Sequence, residues 1–187
     1  MRTTRRTLYL HASILWGATV DTDPRSARYE AAENHITLGS AGPVPARQHR
    51  WITQLHTYEQ FWSDTGKTAR ENTRNRSSLP TEERRLGEWA RYQRRKRAEL
   101  CIYQTIRLDV SPAFQWDPQT AAWNSNYSAC RRHLLATGTL PILDATDPDQ
   151  FALARWLGRQ LDLRRQHLLP PPRAAQLDSL MDLNSIG

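Results

Sequence analysis

Leu86-Gly87-Glu88-Trp89-Ala90-Arg91-Tyr92-Gln93 and Leu153-Ala154-Arg155-Trp156-Leu157-Gly158-Arg159-Gln160 share one spacing: a Leu, a Trp three residues on, and a Gln four beyond it. Leu86, Trp89, Ala90 and Gln93 recur every three to four residues, the period of a helix that buries one face. The match continues upstream. Trp51 stands fifteen residues before Gly66, and Trp123 fifteen before Gly138. Trp51, Leu55, Tyr58 and Trp62 line one helical stripe, as do Trp123, Tyr127, Cys130 and Leu134. Gly66 and Gly138 sit where a left-handed helix stop is expected. Pro80 suits the first turn of the helix that follows. Each copy closes on a third segment, Leu100 to Trp116 in the first and Leu169 to Leu183 in the second.

The chain therefore reads as all-α. Two tandem three-helix repeats are expected, at residues 50–116 and 117–187, preceded by an N-terminal arm or extra helix over 1–49. Each repeat packs three helices into roughly 60–70 residues, near the lower limit for independent folding. Seven tryptophans in 187 residues offset that small size, since each large aromatic can bury about 150–250 Å². Trp51, Trp89, Trp123 and Trp156 are accordingly expected in the cores.

Charge is distributed unevenly. Residues 47–116 hold fourteen basic and eight acidic side chains, residues 1–46 hold five and four, and residues 117–187 hold seven of each. Nearly all of the net +7 thus falls in the middle segment, and a local patch of this kind concentrates polyanions. Lys67 and Lys96 are the only lysines among 26 basic residues. Arg is the better bidentate phosphate ligand and also stacks on bases.

The densest run is Arg84, Arg85, Arg91, Gln93, Arg94, Arg95, Lys96 and Arg97: eight basic or Gln residues within fourteen positions. A helix this basic repels itself unless an anion neutralises it. A nucleic-acid backbone does so and releases counterions. Gln93 and the arginines have the geometry to read adenine and guanine edges. Gln93 shares its stripe with Leu86 and Trp89, however, so it can equally satisfy a buried group. Arg70, Arg74 and Arg76, in a polar loop, would extend the footprint. The second copy offers Arg159, Gln160 and Arg164, diluted by Asp162.

Together these residues resemble the helicase-associated domain family, a small three-helix module that occurs in tandem. The resemblance rests on Trp51, Gly66, Leu86-Gly87-Glu88-Trp89, Gln93-Arg94 and Phe114-Gln115-Trp116, and it runs over residues 50–183. The second copy departs from the pattern. It has Leu153-Ala154 in place of Leu-Gly and Leu161-Asp162 after Gln160, and it lacks the Phe-x-Trp ending. The resemblance implies a nucleic-acid-binding protein, with DNA favoured over RNA, acting as a regulator or as an accessory factor to a larger DNA-processing protein. It also implies a bacterial source. The rival reading is a protein-interaction module that docks a partner on tryptophan-rich helices without touching nucleic acid.

Catalytic signatures are weak, and no enzyme activity is expected. Gly66-Lys67-Thr68 suggests a phosphate loop, but the full pattern needs a Gly where Phe61 stands. The six histidines lack His-x-x-x-His spacing, and no metal or cofactor is expected. No apolar run approaches the roughly 18–20 residues of a membrane span. The start, basic and then apolar from Leu8 to Val20, mimics a signal peptide but is interrupted by His11, Ser13, Trp16 and Gly17. A cytoplasmic, nucleoid-associated protein with no membrane partner is the expectation.

Overall fold

The computed structural model describes residues 4–71 and 76–186, and among these it holds eight α-helices and no strand. They are α1 (Arg5–Gly17), α2 (Pro24–Leu38), α3 (Ala46–Thr65), α4 (Thr81–Arg95), α5 (Ile102–Asp109), α6 (Pro118–Thr137), α7 (Pro148–Arg165) and α8 (Pro171–Ile186). The all-α expectation holds. The chain divides into two compact units, Met1–Trp116 and Asp117–Gly187.

Local chemistry sets the helix ends. Helices α2, α6 and α7 each start on an Asp-Pro pair. The Asp carboxylate caps a backbone N–H of the first turn, and the Pro fills the first helical position, where its missing N–H costs nothing. Helices α3 and α6 both run for 20 residues and stop at Gly66 and Gly138, whose φ of 68° and 74° is the left-handed stop foreseen at these positions.

The first unit contains five helices: α3, α4 and α5 over 46–109, and before them α1 and α2, where one arm or one extra helix is expected. The described part of 1–49 forms α1, α2 and the start of α3. Helix α1 packs against α2 and α5, while α2 packs against α3 and α5. Ile52, Leu55 and Tyr58 from α3, Leu86 and Ala90 from α4, and Tyr103 and Leu108 from α5 are fully buried. Trp89 is half-buried, its ring 5.4 Å from Tyr58, 6.2 Å from Trp51 and 6.3 Å from Phe114. Gly87 has a different role from the cap glycines. A Cβ there would lie 2.5 Å from the Arg70 carbonyl oxygen, so only glycine lets the loop backbone press onto α4.

An ionic knot joins α2, α3 and α5. The Arg107 guanidinium is completely buried. Its Nε donates to Glu33 at 2.8 Å, and Nη1 and Nη2 donate to the two Glu59 carboxylate oxygens at 2.7 and 2.8 Å. Tyr103 donates to the second Glu33 oxygen at 2.9 Å, and His56 Nε2 lies 2.9 Å from the first. Burial pushes the Glu33 carboxyl up. The His56 bond and the Arg107 charge outweigh burial and hold it below the usual carboxylate range.

The second unit has three helices, α6 to α8. Trp123, Cys130 and Leu134 from α6, Leu157 from α7, and Leu177 and Leu180 from α8 form its core. Trp156 meets Trp123 edge-on at 5.8 Å.

Candidate nucleic-acid interface

The basic run on α4 splits by direction when folded. Leu86, Ala90 and Gln93 point into the core. Gln93 accepts the Trp51 indole N–H at 2.9 Å, which ties α4 to the start of α3. Its structural reading therefore prevails over base readout.

Two of the arginines are likewise bonded within the fold. Arg94 donates to the Glu71 carboxylate at 2.6 and 2.7 Å, bonds the Gln115 carbonyl, and lies over the Phe114 ring at 5.1 Å. Arg91 bonds the Glu71 carbonyl. Both clamp the 70–71 loop onto α4; Arg94 thereby commits its Nε and Nη1 donors, while Arg91 commits one. Arg70 adds a third clamp. Its backbone N–H and its guanidinium both donate to Glu83 in the first turn of α4, at 2.7–3.0 Å. Of the three, Arg94 is drawn inward, whereas Arg70 stays exposed beside its Glu83 partner and Arg91 stays half-buried. Arg74 lies outside the described residues.

The outer face of α4 keeps Arg84, Arg85 and Arg95, and Arg97 follows just past its end. Arg85, Arg95 and Arg97 are exposed, and Arg84 is half-buried. Arg95 lies over Tyr92 at 5.5 Å and Arg97 over Trp116 at 4.5 Å, cation–π contacts that hold each guanidinium without consuming its charge. Lys96 pairs with Glu99 at 2.7 Å. A shallow recess of about 440 Å³ runs between Arg85, Arg91 and Arg95, with Trp89 and Tyr92 in its wall.

The larger concavity lies on the other side of Trp89 and Tyr92. It is a groove of about 880 Å³ formed by α2, α3, α4 and the turn after α4. Arg25 and Arg28 of α2, Arg47 and Arg50 of α3, and Lys96 line it, against Glu99 as the one carboxylate among the described lining residues. Arg25 is tied to Asp23 at 2.6 Å and to the Glu99 carbonyl. Arg28, Arg47 and Arg50 are exposed and form no ion pair among the described residues. Tyr29, Trp51, Trp89 and Tyr92 supply aromatic surface. Burial raises the Tyr29 hydroxyl against the pull of nearby Arg47, so it stays protonated.

Sequence reasoning had not singled out Arg28, Arg47 or Arg50. They are scattered over two helices, and only the fold brings them beside α4. The accessible signal was the five-residue stretch Arg47 to Trp51, whose two arginines precede a core tryptophan.

In the second unit, Gln160 is buried, Arg164 pairs with Asp178 and Arg165 with Asp162. Arg159 is exposed. No comparable gathering of cations forms from these three candidates.

Among the described residues, no three His, Cys, Asp or Glu side chains cluster closely enough to hold a metal ion. No described helix is long and apolar enough to cross a membrane. Cys101 and Cys130 are free and buried, and burial raises both thiols, Cys130 to about 11. They therefore stay protonated at neutral pH and are poor nucleophiles. The chain matches no protein-family model, no curated protein and no solved structure.

Proposed function

We propose that this protein binds nucleic acid through its first unit, using the α2–α3–α4 groove and the outer face of α4. The observation that carries this reading is the convergence of Arg28, Arg47, Arg50 and Lys96 on one aromatic-lined concavity, with Arg85 and Arg95 just beyond its Trp89–Tyr92 wall. Cations spread over three helices suit an extended polyanion better than a small anion, which one or two arginines would satisfy. Aromatic faces add a sequence-tolerant term for bases. The resemblance to the helicase-associated domains points the same way and suggests DNA, in a regulatory or accessory role. Trp51 and Trp123 are buried and the other five tryptophans are half-buried against the two cores, which leaves no fully exposed indole to dock a protein partner.

The test is a titration of labelled DNA at rising salt. Changing Arg28, Arg47 and Arg50 together to Ala should cut affinity at least tenfold. It should also reduce the slope of log K against log salt by about 2–3, the equivalent of three lost phosphate contacts. These side chains are exposed, so the melting temperature should barely move. Wild-type protein that retains no nucleic acid even at low salt would overturn the proposal.

A further inference from the structure

We infer that the α2–α3–α4 groove accepts one unpaired nucleotide of a single strand, its base on the aromatic wall and its phosphates on the arginine rim. This rests on the nucleic-acid reading above and goes further, because it specifies strandedness and the atom that meets the base. Three observations support it.

The first is shape. At about 880 Å³ the groove falls within the range of roughly 300–1,000 Å³ typical of small-ligand sites. A stacked, paired base cannot enter such a concavity, and only a base out of its duplex can reach the wall.

The second is surface. Tyr92 is 49% exposed, an unusual state for an aromatic ring beside a core tryptophan. Trp89, next to it in the lining, anchors the wall through Trp51, Tyr58 and Phe114. A rigid aromatic wall with an accessible ring is what base stacking needs.

The third is an unmet acceptor. Gln48 is only 8% exposed and lines the groove. Its side-chain oxygen Oε1 is buried and finds no hydrogen-bond donor among the described residues. Buried acceptors are nearly always satisfied, and because Gln48 itself lines the groove, a turn of its side chain brings this orphan acceptor to a donor on a bound ligand. The exocyclic amine of adenine, cytosine or guanine is such a donor, and it is most accessible when its Watson–Crick edge is unpaired. The arginines are placed for the backbone of the same strand. Arg28, Arg47 and Arg50 are exposed at the groove, and Arg95 lies beyond its wall.

The experiment uses the full chain and three fluorescein-labelled probes of equal length: an adenine-only strand, a thymine-only strand and a mixed-sequence blunt duplex. Affinities come from anisotropy at one moderate salt. The adenine strand should bind at least tenfold tighter than the duplex and about threefold tighter than the thymine strand. Tyr92→Ala should cost the single strands about tenfold, and Tyr92→Phe should recover most of that loss. Gln48→Leu, which removes the orphan acceptor at similar volume, should erase the difference between adenine and thymine strands.

Equal or tighter binding of the duplex would overturn the inference and leave the nucleic-acid reading intact. So would equal losses on strand and duplex in Tyr92→Ala. Free adenosine monophosphate that competes as well as the strand, nucleotide for nucleotide, would overturn the strand assignment in favour of a mononucleotide pocket. Failure to bind any of the three probes would remove both readings together.

Discussion

The two units use the same marks to different ends. Each opens a 20-residue helix that ends on a left-handed glycine, and each sets a tryptophan on that helix against another on the next. In the first unit the Trp51 indole N–H finds Gln93 at 2.9 Å. In the second, Gln160 is buried in the equivalent place by sequence, yet the buried Trp123 N–H has no partner among the described residues. Trp123 relies instead on Tyr127, stacked at 5.4 Å, and on Arg173 over its ring at 5.4 Å. The first unit also carries two more helices, an ionic knot and the whole net charge of the chain: nineteen basic against twelve acidic residues, with seven of each in the second. A shared spacing of apolar residues thus specifies helices and their buried stripes. Polar chemistry, which is free to diverge, specifies what each unit can bind.

The largest test of that contrast is Arg107→Ala. Removing the guanidinium leaves Glu33 and Glu59 buried and uncompensated, which should cost the first unit about 3–5 kcal/mol. A denaturant melt should then show the first unit unfolding early while the second is unmoved; an unchanged midpoint would mean that the knot does not hold α2, α3 and α5 together. The same knot sets an acid limit. Glu33 is held below its ordinary value of 4.5, so its contribution is present above about that pH and is lost as pH falls through its lower folded value. Acid should therefore destabilise the first unit through this group, and Glu33→Gln should flatten that limb of its stability–pH curve.

Packing at α4 and α7 gives the next contrast. Gly87→Ala drives a methyl into the Arg70 carbonyl and should cost about 1–3 kcal/mol. Ala154→Gly, at the matching position of α7, should cost only the helix-propensity difference of about 1 kcal/mol or less. Melting curves that ranked the two the other way would show that loop and helix are not in close contact at Gly87.

The paired glutamines separate the units more finely. Gln93→Leu strands the Trp51 N–H and should cost about 1–3 kcal/mol, whereas Gln160→Leu, which breaks no bond to Trp123, should stay within about 1 kcal/mol. The smallest effect is on binding. Arg50→Ala should lower the single-strand salt slope by about 0.7, and Arg159→Ala in the second unit should leave it where it was. A larger loss from Arg159→Ala would move the interface, or part of it, to the second unit.

Much of the framework was readable because it depends on local chemistry. The stripes of α3 and α6 and the stops at Gly66 and Gly138 follow from periodicity and backbone preference within a few turns. The candidate site was readable only in part. Counting arginines points to α4, but charge number carries no direction. Arg91 and Arg94 are bonded to Glu71 and to backbone carbonyls in the loop and tail. Arg107, counted in the same basic excess, lies at zero exposure among carboxylates. In the other direction, no short-range pattern connects Arg28 and Arg47 to α4.

By itself, then, the amino-acid sequence determined that the chain is helical, where its two longest helices stop, and that its net positive charge lies before residue 117. Those properties need only neighbours within a turn or two, or a simple sum over residues. Only the tertiary structure decided which cations remain exposed and where they meet. The groove draws Arg28 from α2, Arg50 from α3 and Lys96 from the turn after α4, and the availability of each arginine depends on whether a carboxylate from a distant segment reaches it first. Exposure and long-range pairing are properties of the packed chain, because a guanidinium turns inward or outward according to the partners that packing brings within hydrogen-bond reach.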